Sequence, residues 1–205
     1  MITAEQALQR LREGNRRFVA SLRELPQALP TVRRFELTRE QKPFAIVLGC
    51  SDSRVPAEIV FDQGLGDLFV IRVAGNIVAP SQVGSVEFAA SRFGTRLVVV
   101  LGHSQCGAVS ATIEELLQPA ENQSRNLRSI VDRVRPSVEP LMRTELKNDL
   151  PALMHSAVRA NVSYSVNHLR YGSEVLESLI RNDGLRVIGA EYSIETGEVE
   201  FFDGV

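Results

Sequence analysis

Residues 44–54 read Phe-Ala-Ile-Val-Leu-Gly-Cys-Ser-Asp-Ser-Arg. Phe44 to Gly49 is a short, continuous apolar run, as expected of a strand buried on both faces of a parallel sheet. A thiol, a carboxylate and a guanidinium follow on alternate positions, at Cys50, Asp52 and Arg54. Side chains two residues apart on an extended segment share a face, so this spacing predicts that all three point the same way. In open parallel sheets, ligands bind outside the carboxyl ends of the strands, and Cys50 falls just past such an end.

Working outward, buried runs alternate with helical periods. Asp67 to Val73 reads as a second strand, and Arg96 to Leu101, centred on Leu-Val-Val-Val-Leu, as a third. Between them Ser81 is placed to cap a helix whose apolar positions Val86, Ala89, Ala90 and Phe93 fall at helical spacing. A helix is expected from about Cys106 to Leu117. The segment 123–148 is helical by period, with breaks expected at Pro136 and Pro140. A further helix runs from about Pro151 to Arg170, and Gly172-Ser173 restarts one to Arg181. Asn182-Asp183-Gly184 turns into a fourth strand, Leu-Arg-Val-Ile-Gly-Ala-Glu-Tyr. Glu195-Thr196-Gly197 then makes a hairpin turn into Glu-Val-Glu-Phe-Phe. The order predicts an α/β fold: a mostly parallel central sheet with flanking helices and a late antiparallel strand.

Ahead of this frame, Thr3 and Gln6 form a capping box for a helix carrying Leu8 and Leu11, expected to weaken at Gly14 before Phe18 and Val19. From about Ser21 to Thr38, Pro26 and Pro30 forbid a helix, and an extended arm is expected. Such a helical arm either packs onto a partner subunit or straps its own core. One domain over 1–205 is expected, with the helix and arm in 1–40, the site-bearing core in 41–120, and the later helices and strands in 121–205.

Composition narrows the function classes. The 205 residues carry 44% hydrophobic and 23% charged side chains at a net charge of −2, which gives no electrostatic footprint for nucleic acid or a membrane surface. No apolar stretch approaches a membrane span, and the N-terminus lacks an apolar signal core, so a cytoplasmic location is expected. Two cysteines are too few for a disulfide framework.

The third strand ends as the first does. It runs into Gly102, then His103 and Cys106 at a helix start, where free N–H groups and the dipole stabilise a thiolate. Two buried strands thus deliver Cys50, Asp52, His103 and Cys106 to one edge, a zinc-compatible set with Asp52 or water in the fourth position. Spacing alone leaves three readings open: a zinc site, two unrelated buried thiols, or a redox or nucleophilic cysteine. Structural zinc sites are closed by four cysteines or histidines. The remaining histidines, His155 and His168, fall inside late helices, so the shortfall favours an open, catalytic site. Two thiolates and a neutral imidazole cancel the zinc charge, so bound water is less acidified than on a tris-histidine zinc, where its pKa is about 7. A second-sphere acceptor helps, and Asp52 serves if the bidentate partner Arg54 keeps it off the metal.

The stretches Cys-Ser-Asp-Ser-Arg-Val-Pro at 50–56, Gly-Asp-Leu-Phe-Val-Ile-Arg-Val-Ala-Gly-Asn at 66–76, Gly-Ser-Val-Glu-Phe-Ala at 84–89 and Val-Val-Val-Leu-Gly-His-Ser-Gln-Cys-Gly-Ala-Val at 98–109 together resemble the β-class carbonic anhydrases. Asn-Val-Ser-Tyr-Ser-Val-Asn-His-Leu at 161–169 and the last two strands look like that family's C-terminal part, so the resemblance spans about Gln41 to the end. It implies zinc on Cys50, His103 and Cys106. It further implies that Asp52 either accepts a hydrogen bond from the zinc-bound water, paired with Arg54, or rotates onto zinc in an inactive state. It implies an obligate homodimer, often built into a homotetramer, with active sites near the subunit boundary. Gln41 then faces the substrate pocket from the neighbouring subunit, Phe69, Ala74 and Phe88 form its apolar lining, and the Gly107 N–H binds bicarbonate. The implied reaction is reversible hydration of CO2 to bicarbonate and a proton by attack of zinc hydroxide.

Some members carry a regulatory bicarbonate site built on a tryptophan, an arginine and a tyrosine. Arg72 and Tyr192 match the last two, but Val47 stands at the tryptophan position and the chain has no tryptophan, so no such site is expected. Ser193 stands where aspartate is common, and no catalytic meaning attaches to it. The alternatives are hydrolysis of CS2 or COS on the same shell, and a non-catalytic zinc-binding structural or regulatory protein.

Overall fold

The apolar run that opens the core forms β1 (Ala45–Gly49), with all five residues buried. In the computed structural model, which describes residues 2–22, 41–119 and 124–205, β1 lies inside a five-stranded sheet. It pairs in parallel with β2 (Leu68–Arg72) on one side and β3 (Leu97–His103) on the other. β3 pairs in parallel with β4 (Arg186–Tyr192), and β5 (Val199–Asp203) closes the order β2-β1-β3-β4-β5 antiparallel to β4. The expected mostly parallel α/β sheet with a late antiparallel strand is what forms.

Helices cover both faces, and strand alternation sorts the core between them. Val47, Val99, Leu101 and Ile188 point to the face under α1 (Ala4–Leu22), where they meet Leu8, Leu11 and Phe61. Ile46, Leu48, Val98 and Val100 point to the other face. They pack there against Val86 of α3 (Pro80–Arg92), Val162 and Val166 of α6 (Leu150–Tyr171) and Leu176 of α7 (Glu174–Asn182). Each such side chain contributes about 1.5–3 kcal/mol on full burial. Continuous apolar runs are therefore what a sheet covered on both faces selects. Among the described residues, no helix is long and apolar enough to cross a membrane.

Local expectations are corrected in four places. The capping box forms, with Thr3 and Gln6 exchanging bonds of 2.9 and 3.2 Å, but α1 does not weaken at Gly14 and runs on to Leu22. The glycine serves close approach: a Cβ there would collide with the Phe61 carbonyl just past the short helix α2 (Ala57–Val60). Ser21 and Leu22, expected to open the arm, are helical, and the rest of the arm lies outside the described residues. Ser81 is not a cap, because α3 starts one residue earlier on Pro80, whose missing N–H and fixed φ suit a first helical position. Pro136 does not break its helix. With α4 (Gly107–Leu117) before it, α5 (Arg125–Val138) passes through Pro136, losing only the bond to residue 132 while Val134, Ser137 and Val138 hold the last turn in the core. The break comes at Glu139-Pro140, as expected for Pro140, and two 3₁₀ turns follow at Leu141–Arg143 and Glu145–Asn148.

One buried carboxylate lies where α6 crosses the late strands. Glu191 on β4 is 3.4 Å from Arg159 and 3.7 Å from His155, while Arg159 bonds bidentately to Glu200 of β5 at 2.8 and 3.0 Å. Burial raises the Glu191 pKa more than His155 and Arg159 lower it. A carboxyl raised by folding costs stability as pH climbs from the ordinary carboxylate range through the folded value. Glu191→Gln should therefore unfold at a higher temperature than the parent near pH 8, with the gap closing toward about pH 4. A gap that stays constant across that range, followed by circular dichroism, would contradict this account.

Candidate metal centre

The parallel register builds the site. Gly49 at the end of β1 is abreast of Leu101, and β3 continues two residues further, to His103. Cys50 therefore leaves β1 beside the end of β3, and Cys106 returns at the N-cap of α4 after a tight turn. Gln105 takes a left-handed backbone in that turn (φ 56°). Glu195, from the β4–β5 turn, fixes it by accepting from Ser104 Oγ at 2.8 Å and Gln105 Nε2 at 2.6 Å. Ser104 Oγ in turn accepts from the Ile194 N–H at 3.0 Å.

The ligand atoms of Cys50, His103 and Cys106 all lie within 4.8 Å of one another, and all three residues are buried. The two sulfurs are 4.0 Å apart and form no disulfide. His103 Nδ1 is 2.8 Å from the Ser104 carbonyl, which only accepts, so Nδ1 carries the proton and Nε2 holds the lone pair. That Nε2 is buried with no hydrogen-bond partner. Buried polar nitrogens are almost always partnered, and a carbonyl-oriented histidine aimed at two thiols is the outer-sphere pattern of a metal ligand. The three residues could hold a metal ion. One thiol of the pair is poised as a thiolate: the bond to Cys106 holds Cys50 well below the usual thiol range against its burial, with His103 and the Gly75 N–H assisting, while the same neighbour and burial push Cys106 up.

Asp52 and Arg54 stand beside the three. Arg54 binds both carboxylate oxygens, Nε to Oδ1 at 2.9 Å and Nη2 to Oδ2 at 2.7 Å, and its backbone N–H also reaches Oδ1 at 3.0 Å. The Val55 N–H closes onto the Asp52 carbonyl at 3.1 Å. The pair is thus made by a turn, and not by the strand alternation expected from spacing. Arg54 holds the Asp52 carboxyl well below the usual range, so it stays ionised. Asp52 Oδ2 lies 3.9 Å from His103 Nε2, at the edge of the metal position but committed to Arg54.

The other expected residues divide. Gly107 opens α4 next to Cys106, and a Cβ built on it meets nothing within 4 Å, so its surroundings are open. Ala74 begins a 3₁₀ turn after β2 whose next residue, Gly75, donates its N–H to Cys50 Sγ at 3.3 Å. Phe69 and Phe88 meet each other, with ring centroids 6.3 Å apart, and both touch Phe93. They are not beside this chain's own sulfurs: Phe69 is in register with Ile46, four residues short of Cys50, or about 13 Å along the strand. Gln41, exposed ahead of β1, lies at the same far end. Three contributors escaped sequence reasoning. Arg72, matched only to a regulatory pattern, bonds the Cys50 carbonyl at 3.0 Å and the Asp52 carbonyl at 2.5 Å, holding the backbone between them. Glu195 and the Gly75 amide act through contacts distant in sequence, and no local spacing signals either.

Known proteins resemble this chain in sequence and in fold. A family model described as carbonic anhydrase matches residues 45–199. The chain is similar to a carbonic anhydrase of Mycolicibacterium smegmatis, 38% identical over 190 residues, covering 93% of this chain and 89% of the relative. It is also similar to carbonic anhydrase 2 of Mycobacterium tuberculosis, 36% identical over 195 residues, covering 95% and 91%. Among solved structures, tetrameric β-carbonic anhydrases from Sordaria macrospora share the fold, with a TM-score of 0.72 at 23% identity over 83% of this chain and 85% of theirs.

Proposed function

Because this chain belongs to the β-class carbonic anhydrase family, a family of lyases, we propose that it catalyses the reversible hydration of CO2 to bicarbonate and a proton, with one zinc ion per subunit on Cys50, His103 and Cys106. The observation that carries the reading is the orphaned His103 Nε2 facing two thiols, with an ionised carboxylate 3.9 Å away. Two sulfurs and an imidazole suit zinc, and they leave a fourth position for water. Zinc held there would supply a Lewis acid that makes water nucleophilic, at a pH above that needed on a tris-histidine zinc. Asp52 accepts the hydrogen bond of that water and orients it, and Arg54 keeps the carboxylate off the fourth position. The Gly107 N–H, at a helix N-terminus beside open space, receives the bicarbonate anion.

The apolar lining calls for a second copy. Gln41 and Phe69 sit at the far end of this chain's strands, β2 is an edge strand of the sheet among the described residues, and Phe88 is 53% exposed. Unpaired edges and exposed aromatics are surfaces that association covers. A homodimer or homotetramer in which one subunit's Gln41, Phe69 and Phe88 complete its neighbour's pocket accounts for all three, and a cytoplasmic location suits two free thiols.

Purified protein assayed in parallel with CO2 and CS2, with its metal content and sedimentation measured, tests the reading. Rapid CO2 hydration with zinc near one per chain in a dimer or larger species is expected. No CO2 hydration at about pH 8 would sink it, and turnover of CS2 alone would reassign the substrate.

A further inference from the structure

The turn after β2 is bent in a way few residues tolerate. Gly75 has φ 69° and the next residue, Asn76, is buried at φ 44°, so two left-handed residues stand in succession. A Cβ on Gly75 would sit 2.9 Å from Ala108 Cβ and 3.4 Å from Val134 Cγ2. A non-glycine residue in that region costs about 1 kcal/mol or more and persists only where its surroundings over-determine it. Here α6 does so. Asn161 Nδ2 donates to the Gly75 carbonyl at 2.8 Å, and Ser165 Oγ donates to the Asn76 carbonyl at 3.0 Å. The two side chains are one helical turn apart on the same face, 1% and 2% exposed.

Stability alone does not account for Asn161. Its Oδ1 is buried without a partner, which costs about 1–3 kcal/mol that an apolar residue would not incur. What the clamped turn delivers is one donor, the Gly75 N–H, 3.3 Å from Cys50 Sγ. We propose that Asn161 and Ser165 are positioning residues that hold the 74–76 turn so that the Gly75 amide donates to the Cys50 sulfur, limiting the electron density Cys50 gives the metal. A hydrogen bond to a ligating sulfur draws charge away from the metal. In a site where two thiolates already cancel the charge of a divalent ion, this preserves Lewis acidity. The inference rests on the metal reading above.

Cobalt(II)-substituted protein tests it without any turnover. Wild type, Asn161→Ala, Ser165→Ala and Val166→Ala are compared by their near-ultraviolet sulfur-to-cobalt absorption and by cobalt release to a chelator. Val166 is on the same helix, fully buried in the sheet-facing cluster, and controls for loss of packing. Asn161→Ala should move the band to longer wavelength, because a more electron-rich sulfur gives up charge more easily, and, because the freed turn no longer holds the Cys50 sulfur in place, should release cobalt about tenfold faster or more. Ser165→Ala should shift the same way by less, and decides the matter should Asn161→Ala not fold. Val166→Ala should leave band and release unchanged. An unshifted band in the clamp variants, or an equal shift in Val166→Ala, overturns the clamp alone. Wild type that takes up no cobalt overturns the metal reading and the clamp with it.

Discussion

Cys106→Ser should purify with less than about a tenth of a metal ion per chain and hydrate CO2 at least about 10³-fold more slowly than the parent. The side chain is nearly isosteric, so the cluster of Val109, Val134, Leu153 and Ala157 around it should keep its packing and the variant should fold. A hydroxyl is not a thiolate at neutral pH, and the metal is left with Cys50 and His103. The parent should lose thermal stability on chelation, because metal binds only the folded arrangement, and removing it leaves His103 Nε2 buried and unpaired at a cost of about 1–3 kcal/mol. Cys106→Ser should not respond to the chelator. Metal analysis, stopped-flow hydration and melting with and without chelator read all three. Near-stoichiometric metal with most of the activity retained would remove Cys106 from the site.

Asp52→Asn should keep its metal and lose about 10²–10⁴-fold in hydration. The substitution preserves shape while replacing one carboxylate oxygen with an amide nitrogen that cannot accept, so one of the 2.9 and 2.7 Å bonds of the Arg54 fork is lost. Arg54→Ala tests the restraint. With Arg54 gone, a carboxylate whose Oδ2 is 3.9 Å from His103 Nε2 is free to turn into the fourth position. Arg54→Ala should therefore lower activity through Asp52, and Asp52→Ala/Arg54→Ala should be no worse than Asp52→Ala alone, the non-additivity expected of residues that act as a unit. A purely structural metal site predicts no change in activity from any of these substitutions.

Much of this was legible because each feature had a local cause. Strands buried on both faces need continuous apolar runs, so residues 45–49 and 97–101 announce themselves, and reactive groups just past such runs mark the ligand edge of a parallel sheet. Misjudged details share a different cause. Gly14, Ser81 and Pro136 carry propensities that point one way, while a neighbouring carbonyl, an adjacent proline and a buried last turn decided otherwise. The roles of Arg72, Gly75 and Glu195 are not legible in the sequence because they act on backbone atoms or across about twenty to ninety residues of chain, where no residue-type spacing exists to be read.

By itself the sequence determined the layer architecture and placed the candidate donors just past two strand ends, because burial periodicity and residue chemistry are properties of short segments; the family rested on the resemblance of its motifs. Only the tertiary structure decided that residues 50, 103 and 106 meet within 4.8 Å, that Asp52 is bound to Arg54 through a turn, and that a far helix presses a backbone N–H onto Cys50. Gln41, Phe69 and Phe88 sit away from the sulfurs of their own chain for the same reason. Distances between segments are set by strand register and helix packing, which bury apolar surface across the whole molecule and leave no trace in the spacing of residues along it.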